Sequence, residues 1–424
     1  MIALLTALAA LSELPLDAAI RSAWANNPGL RAAAAAVEGS REEAAAARDG
    51  RLPALELHAG LVRTSEPMAA FGLKLDEGRI GPPDFDPARL DHPDAVYGAG
   101  LGISATQVLY AGGAMAAGAR AREAQAGADE KSWQRRRQEL ALAIVEAYFG
   151  ALVAEQAVSF AGEQLAWSRE VERFVRARVA QAQAPEAEAM RATAARAQAE
   201  AERAAVEHQL ASARAALSLL IGEALGDRRL STPLPPAESG EQAAGERPDL
   251  EAARLRVEAA RAAADATGAA LLPRVFLQVA AETMRSSLRE GNVWTAAALG
   301  AKWELGMPAL RQRAAARARE AASAAELQWR QDQAAVEVDE ARRAADTAAR
   351  RIAAAREATA ASEATRAMRS ARHREGLLPL TEVLDAQASL AGARTLLLRS
   401  QLELRVARAR LQLALGNPIE GVKP

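Results

Sequence analysis

The sequence predicts a mainly α-helical fold made of two tandem structural repeats, each with long antiparallel helices and one β-hairpin. Three observations predict it: a pattern that recurs after 220 residues, short stretches of alternating hydrophobicity, and long alanine-rich stretches that end at glycines. With 424 residues, the chain is long enough for one elongated repeat structure. Its many alanines and arginines favour helix.

The first parts of the two halves align with each other without a gap. A short amphipathic helix is predicted at residues 16–24, and each half then begins a helix at a proline and ends it at a Leu-Pro pair. So many matches at positions other than alanine indicate a duplicated structure. The matched pairs are Pro28 with Pro248, Leu30 with Leu250, Val37-Glu38 with Val257-Glu258, Arg41 with Arg261, and Leu52-Pro53 with Leu272-Pro273.

Two strands are predicted after each Leu-Pro pair, because apolar side chains then occur at every second position. The first hairpin is predicted at residues 54–109, with a long loop from Thr64 to Ala95 that is rich in Pro, Asp and Gly. The second is predicted at residues 274–305, with a short loop around Ser286 to Asn292.

A long helix and a shorter return helix follow each hairpin. Glycine ends both return helices, because it readily adopts the left-handed conformation found after helix ends. Alanine fills faces that would carry leucine in an ordinary bundle, so these helices suit a thin curved wall better than a thick core. The predicted helices run from Gly112 to Ala180, from Pro185 to Ile221, from Pro308 to His373 and from Pro379 to Leu415.

These elements predict five segments. Residues 1–14 are interpreted as the remnant of a secretory signal, with an apolar helical turn packed on the body as the alternative. The first repeat is predicted at residues 15–222, including a helical hairpin at 112–222, and the second at 248–416, including a helical hairpin at 308–416. A Pro/Gly/Ser-rich linker at 223–247 joins them, and residues 417–424 form a tail.

The turn between the last two helices carries a pair of carboxylates. Gly376 ends one helix, and Pro379 suits the first turn of the next, where its missing N–H is not needed. Glu382 and Asp385 follow three residues apart and therefore lie on one face of the new helix.

A weaker copy of this turn lies in the first half, at Ala182 to Thr193. Pro185 starts the helix there, and Glu188 stands in the place of Glu382. Acidic side chains in the first turn of a helix also interact favourably with its dipole, so the carboxylates alone do not require a function.

Two strands do not form a stable sheet alone, so each hairpin needs partners. The simplest partners are the strands of sister copies, and a closed sheet has no edges. Alternation with one apolar side fits a membrane barrel with a polar lumen. The alternative is a soluble coiled-coil or helical-bundle interaction scaffold, in which the apparent strands are loops.

Composition and motifs exclude several classes of function. Without cysteine the chain has no disulfide, no thiolate metal site and no lipid anchor through cysteine. A net charge of -1 provides no basic field for nucleic acid. No nucleotide-binding, hydrolase or metalloprotease motif occurs, so we predict neither an enzyme nor a cofactor.

Histidines and apolar runs add two further expectations. The four histidines are far apart and show no metal-ligand spacing, so each is expected at the surface or in a lumen. No run of 18 or more apolar residues follows the N-terminus, which predicts no membrane-spanning helix. The histidines are His58, His92, His208 and His373.

The order of these features resembles the TolC-type outer-membrane efflux proteins, also known as outer membrane factors. The order is a helix, the sequence NNPGL, Leu-Pro, a strand pair, an Ala-Gly-Gly helix start, Tyr148-Phe149 and a return helix that ends at glycine. The stretch GLLPLTEVLDAQASL at residues 376–390 is similar to the best-known signature of that family. The resemblance extends from about Pro15 to Gly416.

The resemblance implies a homotrimer that forms a twelve-stranded β-barrel, with four strands from each copy, and a twelve-helix α-barrel. It implies a passive exit duct in the bacterial outer membrane that projects into the periplasm and serves a tripartite efflux pump or a type I secretion system. Its partners would be a periplasmic adaptor, an inner-membrane transporter reached through the adaptor, and outer-membrane lipid. The cargo, whether drug, metal or protein, is not implied.

The resemblance also implies a periplasmic aperture closed by acidic rings. Glu188, Glu382 and Asp385 match the ring positions, and three copies around a narrow axis would repel one another and attract cations. Arg372 and Arg374 are expected either as ion-pair partners in an adjacent copy or as solvated surface side chains.

The same resemblance implies that the adaptor docks at the tips of the helical hairpins. The implied docking residues are Ala182 and Gln183 in the first tip and Gly376 and Leu377 in the second. The chain departs from the family here, because the first tip lacks the expected glycine and the second carries leucine where a small or polar residue is common.

Overall fold

The computed structural model describes residues 13–234, 243–285, 292–304 and 306–419. The described part of the chain is mainly helical, as predicted. The helices are α1 (Leu16–Asn26), α2 (Pro28–Asp49), α3 (Pro67–Asp76), α4 (Pro87–Asp91), α5 (Ala114–Ala180), α6 (Glu186–Ile221), α7 (Pro248–Ala269), α8 (Met307–Arg374) and α9 (Leu380–Leu415), with a short 3-10 helix at Pro82–Phe85. The strands are β1 (Glu13–Leu14), β2 (Ala54–Thr64), β3 (Val96–Tyr110), β4 (Arg229–Leu230), β5 (Arg274–Arg285) and β6 (Asn292–Lys302).

Two compact units can be distinguished within the described residues. One unit draws on the described residues within 13–37, 129–252 and 328–419, and the other on those within 38–128 and 253–327. The first unit contains the helical hairpins α5–α6 and α8–α9 over most of their lengths. The second contains strands β2, β3, β5 and β6.

The return helices α6 and α9 end at glycines that no other residue could replace without strain. Gly222 has φ of 81° and Gly416 has φ of 77°, both in the left-handed region. A Cβ at Gly222 would lie 2.7 Å from the Asn26 carbonyl oxygen, and one at Gly416 would lie 2.9 Å from the Glu246 carbonyl oxygen. Each return helix therefore stops where the backbone that leads into α2 or α7 passes close by.

Strands β2, β3, β5 and β6 form one antiparallel sheet in the order β2-β3-β5-β6. The expectation that each hairpin finds its neighbours only in sister copies is wrong, because β3 pairs with β5 inside the chain, for example at Ile103 with Ala281. This pairing satisfies the backbone groups along one edge of each hairpin. Within the chain, β2 and β6 remain as the outer strands of the sheet.

The long loop predicted from Thr64 to Ala95 is wrong in part, because this segment contains α3, the 3-10 helix and α4. Prolines start all three short helices, and the Asp86 carboxylate caps α4 by accepting a hydrogen bond of 3.1 Å from the Ala88 N–H. The short loop predicted around Ser286 to Asn292 lies almost wholly outside the described residues, and Asn292 itself begins β6.

The core of the first unit lies where α1, α5 and α6 meet β1 and β4. Ile20 and Phe149 have no exposed surface there. Tyr148 is equally buried; its hydroxyl donates a hydrogen bond of 2.6 Å to the Leu14 carbonyl and accepts one of 3.0 Å from the Thr232 N–H. Tyr148, the first residue of the Tyr-Phe pair noted in the sequence, therefore links the chain segments at Leu14 and Thr232.

The predicted signal remnant and linker are described only in part, because residues 1–12 and 235–242 lie outside the described residues. Glu13 and Leu14 pair in parallel with Arg229 and Leu230 of the linker. Leu14 and Leu230 are buried in the core of the first unit, so both segments contribute to the folded body.

By length and composition alone, one described helix, α5, could cross a membrane, whereas the sequence predicted none. The apolar side chains of α5 have partners inside the protein, because Ile144, Val145 and Phe149 are fully buried in the core of the first unit. This packing is typical of a core helix.

Candidate functional site

The two turns that join the helices of each hairpin have the same backbone geometry. Ala182 has φ of 56° and Gly376 has φ of 76°, both left-handed. In the second turn the N–H of Leu377 donates to the Arg372 carbonyl at 2.9 Å. In the first, the N–H of Gln183 donates to the Arg178 carbonyl, also at 2.9 Å. Both turns therefore close the preceding helix in the manner of a Schellman motif.

Ala182 is the one described residue other than glycine with a positive φ. A left-handed conformation brings Cβ of an L-residue close to the following carbonyl oxygen, at a cost of about 1 kcal/mol or slightly more. The first tip lacks the glycine that the second tip has, but its turn has the same backbone conformation. The first tip keeps the geometry of the second and carries the strain.

We expect Ala182→Gly to stabilise the first tip by about 1 kcal/mol and Gly376→Ala to destabilise the second by a similar amount. A Cβ at Gly376 meets no atom within 4 Å, so backbone strain alone would cause the loss. Hydrogen exchange of the amides at Gln183 and Leu377 measures both changes. Equal exchange in the wild type and both variants would contradict the strain at Ala182.

Glu382 is held by an arginine that the sequence analysis did not identify. The Arg369 guanidinium pairs with the Glu382 carboxylate at 2.8 Å and donates to the Glu382 carbonyl oxygen at 3.2 Å. Both side chains are partly exposed. The contact joins α8 to the first turn of α9 across the tip.

The other predicted ring and partner residues are more open. Asp385 is exposed and Glu188 is half-buried, and within the described residues neither side chain forms an ion pair. Arg372 and Arg374 are exposed and likewise have no ion pair in the described part of the chain. Their charges are therefore not neutralised by this copy.

The predicted docking residues all lie at the surface of the tips. Ala182, Gln183, Gly376 and Leu377 are exposed, and the Leu377 side chain is 68% exposed. An exposed leucine side chain in such a position is free to contact another molecule.

The two tips pack against each other through a small apolar cluster. Val175 of α5, Ala192 of α6 and Leu380 of α9 are buried together. His373 lies beside them, with its ring 6.2 Å from that of Phe174 and its Nδ1 2.8 Å from the Leu378 carbonyl oxygen. The expectation that this histidine lies at the surface or in a lumen is wrong, because it is only 6% exposed.

Farther along the same helices, Arg394 of α9 links both long helices. Its guanidinium pairs with Glu163 of α5 at 3.1 Å and with Glu363 of α8 at 2.9 Å. It also lies over the Phe160 ring, 5.0 Å from the centroid. The ends of the two helical hairpins are thereby fixed to each other above the tips.

The four-stranded sheet has one apolar face and a second face, here called the polar face, of mostly small and polar side chains. Val62 and Trp294 are also exposed on the polar face. Along β3, Tyr97, Leu101 and Ile103 alternate with glycines and Ser104. On the polar face, His58 and Glu282 approach to 3.8 Å across Gly102. The large apolar side chains on the other face are exposed; they are Leu55, Leu57, Leu61, Tyr97, Leu101, Ile103, Leu277, Val279, Val293 and Leu299.

Within the described residues, no group of three or more His, Asp or Glu side chains could hold a metal ion. What the geometry presents instead is a sheet with a lipid-compatible face and acidic helical tips. An exposed apolar sheet face opposite a more polar one, joined to long helices, is typical of the class of outer-membrane channels.

The chain belongs to the outer membrane efflux protein family, whose model matches residues 19–223 and 240–417. That family consists of efflux channels of the outer membrane rather than enzymes. The predicted resemblance, efflux-channel function and outer-membrane location with projection into the periplasm are confirmed, and the soluble scaffold is not favoured. The family acts with periplasmic adaptors and inner-membrane transporters.

Solved outer-membrane channels have the same fold. VceC from Vibrio cholerae is 21% identical with a TM-score of 0.77, and the match covers 96% of this chain and 97% of that one. The open state of MtrE from Neisseria gonorrhoeae is 22% identical with a TM-score of 0.79, covering 96% and 91%. CmeC from Campylobacter jejuni is 15% identical with a TM-score of 0.81, covering 96% and 87%. No curated protein sequence matches the chain.

Proposed function

We propose that three copies of this chain assemble into one passive exit duct for a tripartite efflux pump or a type I secretion system. Each copy would contribute four strands to a twelve-stranded barrel and four helices to a twelve-helix α-barrel. The observation that carries this proposal is the two-faced sheet with β2 and β6 as its outer strands. Unpaired strand edges are costly in a membrane, and a large apolar face is costly in water. A closed barrel pairs the edges and turns the apolar face towards lipid.

Exposed apolar side chains on the helices support the same assembly. Leu219 of α6 is 77% exposed, and Trp329 and Val336 of α8 are 58% and 61% exposed. Large apolar groups along helices are usually covered by another protein surface. In the proposed trimer, α6 of one copy lies against α8 of the next and covers these side chains.

We also propose that the two halves, residues 15–222 and 248–416, are tandem repeats joined by a linker at 223–247. Equivalent glycines end α6 and α9, and equivalent left-handed residues close the two tips. Residues 1–14 would be a signal remnant and residues 417–424 a tail. Each repeat then supplies one hairpin of the barrel and one helical hairpin of the tunnel.

At the periplasmic end, Glu188, Glu382 and Asp385 of three copies would form acidic rings around the aperture. Arg369 holds Glu382 within its own copy, whereas Asp385 has no ion-pair partner among the described residues. Arg372 and Arg374 are exposed, and in the proposed trimer they would pair with the acidic rings of an adjacent copy. Concentrated carboxylates around a narrow axis favour cations and hinder anions.

The exposed tips at Ala182-Gln183 and Gly376-Leu377 would receive the periplasmic adaptor, which links the duct to the inner-membrane transporter. Outer-membrane lipid would cover the apolar face of the sheet. In this proposal the inner-membrane transporter selects the cargo.

The assembly is tested by extracting the protein from membranes and measuring its mass and conductance. A duct should require detergent, elute with the mass of three chains, and conduct ions in planar bilayers. A protein that stays in buffer without detergent, or a monomer without conductance, would overturn the proposal.

The double variant Glu382→Ala/Asp385→Ala should lose cation selectivity and block by multivalent cations, because the ring would carry far less negative charge. Bilayer recordings with asymmetric salt measure the reversal potential. Glu357→Ala removes an exposed acid from the same α8–α9 hairpin and serves as the control. If the double variant and the control have the same selectivity and block, these carboxylates do not form the aperture ring.

A further inference from the structure

We propose that residues 65–95 form a preformed lid on the polar face of the sheet, which sets the width and charge of the outward mouth of the duct. This segment is here called the β2–β3 insertion. The inference rests on the proposed trimeric barrel, in which the polar face of the sheet lines the lumen. It adds a second selective region at the end of the barrel away from the periplasmic aperture.

The insertion lies at the end of β3 opposite to the end that leads into α5. It connects Thr64, the last residue of β2, to Val96, the first residue of β3, and these two residues are directly paired. The opposite end of β3 leads into α5. Because the helices project into the periplasm, the insertion lies at the outer surface of the membrane.

The insertion is seated on the polar face rather than beside the sheet. Ala70 and Leu73 of α3 are buried against Val96, with Met284 of β5 packed at the edge of this cluster. Met284 lies opposite Gly100 on the polar face. The α3 helix therefore covers the side of the sheet that would face the lumen.

Gly98 of β3 shows how closely the insertion approaches. A Cβ at this position would lie 2.7 Å from Cδ1 of Leu73 and 3.1 Å from Oε1 of Glu77. Because Gly98 has no side chain, it leaves space on the polar face that Leu73 and Glu77 of the insertion occupy. On the other side, a Cβ at Gly78 would lie 2.6 Å from the side-chain nitrogen of Asn292, so the insertion also reaches the first residue of β6.

Contacts within the insertion give it a fixed shape. Lys74 pairs with Asp84 at 2.9 Å, and the Asp84 carboxylate also accepts a hydrogen bond of 2.9 Å from the Gly81 N–H. The rings of Phe71 and Phe85 meet edge to face with centroids 5.8 Å apart. A segment with its own ion pair, cap and aromatic contact is a folded element and not an open loop.

An ion pair within the insertion lies where the insertion meets the sheet. The Glu77 side chain has no exposed surface and is bonded by the Arg79 guanidinium, with Nε 2.6 Å from Oε2. Its other oxygen, Oε1, faces Gly98 and has no hydrogen-bond partner. Burying a carboxylate costs free energy. The other contacts between the insertion and the sheet must therefore offset the cost of burying Glu77.

The insertion carries more acidic than basic side chains, and three copies would concentrate negative charge at the mouth. Such a lid restricts large cargo and favours cations over anions. The acidic residues are Glu66, Asp76, Glu77, Asp84, Asp86, Asp91 and Asp94, and the basic ones are Lys74, Arg79 and Arg89.

The test removes or unseats the insertion in the full-length trimer and measures single-channel conductance. Because Thr64 and Val96 are paired, residues 65–95 can be replaced by Asn-Gly, a two-residue turn suited to antiparallel hairpins. The second variant, Leu73→Asp, places a charge in the buried contact with Val96. The control, Leu75→Asp, makes the same change at a 57% exposed position of the same helix.

We expect the turn replacement and Leu73→Asp to raise conductance about twofold or more, and Leu75→Asp to leave it unchanged. A unique thiol from Gly60→Cys, on the polar face opposite Gly100, should react several-fold faster with an impermeant maleimide in intact cells when combined with Leu73→Asp. A Cβ at Gly60 meets no atom within 4 Å, so this probe fits the sheet.

Trimer mass is measured for every variant, so that the two proposals can fail separately. A monomeric wild type would overturn the trimer and, with it, the lid. A trimeric wild type in which Leu73→Asp matches Leu75→Asp in both conductance and thiol labelling would overturn the lid alone. If the turn replacement does not assemble, the comparison of the two aspartate variants decides the question.

Discussion

Replacing Leu57 with arginine is expected to abolish assembly in the outer membrane, whereas replacing its neighbour His58 with arginine is not. Leu57 is 76% exposed on the apolar face and lies opposite Ile103 in β3. Arginine on the lipid face of a membrane barrel costs about 2–4 kcal/mol near the midplane, and the trimer carries the change three times. His58 points to the other face, where an arginine side chain would meet Glu282.

The readout is the amount of detergent-stable trimer in the outer-membrane fraction. We expect Leu57→Arg to leave little or none and His58→Arg to remain close to the wild type. Equal amounts of trimer from both variants would show that the two faces of the sheet do not meet different surroundings. That result would contradict the barrel, although the fold of a single chain would stand.

The second large effect is expected at Arg247, which joins the start of α7 to two other helices. Its guanidinium contacts Asp249 at 2.7 Å, Glu337 of α8 at 2.9 Å and the carbonyl oxygen of Ala414 at the end of α9 at 3.2 Å. Only 9% of the side chain is exposed. Removing Arg247 leaves Glu337 and the Ala414 carbonyl without this donor, and leaves Asp249 with Arg135 at 4.0 Å.

Arg247→Ala should therefore lower the free energy of local opening at the end of α9 by about 3 kcal/mol. Hydrogen exchange of the amides from Leu413 to Asn417 measures it. Arg254→Ala, which removes an exposed arginine from the same α7 helix, is the control and should change stability by less than about 0.5 kcal/mol. A loss no larger than that of the control would contradict the importance of this contact.

The same contact predicts a dependence on pH. Burial alone would raise the pKa of Asp249, but the hydrogen bond from Arg247 and the charges of Arg135 and Arg247 outweigh it, so the pKa is lowered. The unfolded chain then binds more protons than the folded one in the acidic range. The stabilisation by Asp249 is complete above the pKa of an unfolded aspartate and is lost as the pH falls through the lower folded pKa. In Arg247→Ala this acid sensitivity should be weaker.

The sequence predicted the helices and strands well where local signals were strong. Glycine ended α6 and α9 at Gly222 and Gly416 because the left-handed turn there requires it, and this requirement is local. The alternation along β3 depends likewise on the two-residue period of a strand. Such signals do not depend on which elements become neighbours.

The β2–β3 insertion was missed although its local signals were present. Prolines and aspartates were read as loop residues, yet Asp86 followed by Pro87 is also a strong helix start. Segments as short as α3 and α4 have too few residues to show a helical period. What fixes them is their contact with Val96 and Met284, which no local pattern reveals.

At the tips, contacts between different helices determine the surroundings of the predicted site residues. Arg369 and Glu382 lie at nearly equal distances before and after the turn, so an antiparallel hairpin brings them together once the turn is fixed. His373 is buried because a second helical hairpin places Phe174 beside it. Neither contact follows from residue type, and the contacts of Arg247 with Glu337 and Ala414 likewise span far-apart parts of the chain.

The insertion between β2 and β3 has no equivalent of similar length between β5 and β6, where only residues 286–291 separate the strands. In the proposed trimer the wall of the barrel would therefore be pseudo-sixfold, with six similar ribbons, while its outer rim would be strictly threefold. A departing molecule would meet three copies of the insertion around this rim. Ligands with threefold symmetry would match this rim better than sixfold ones.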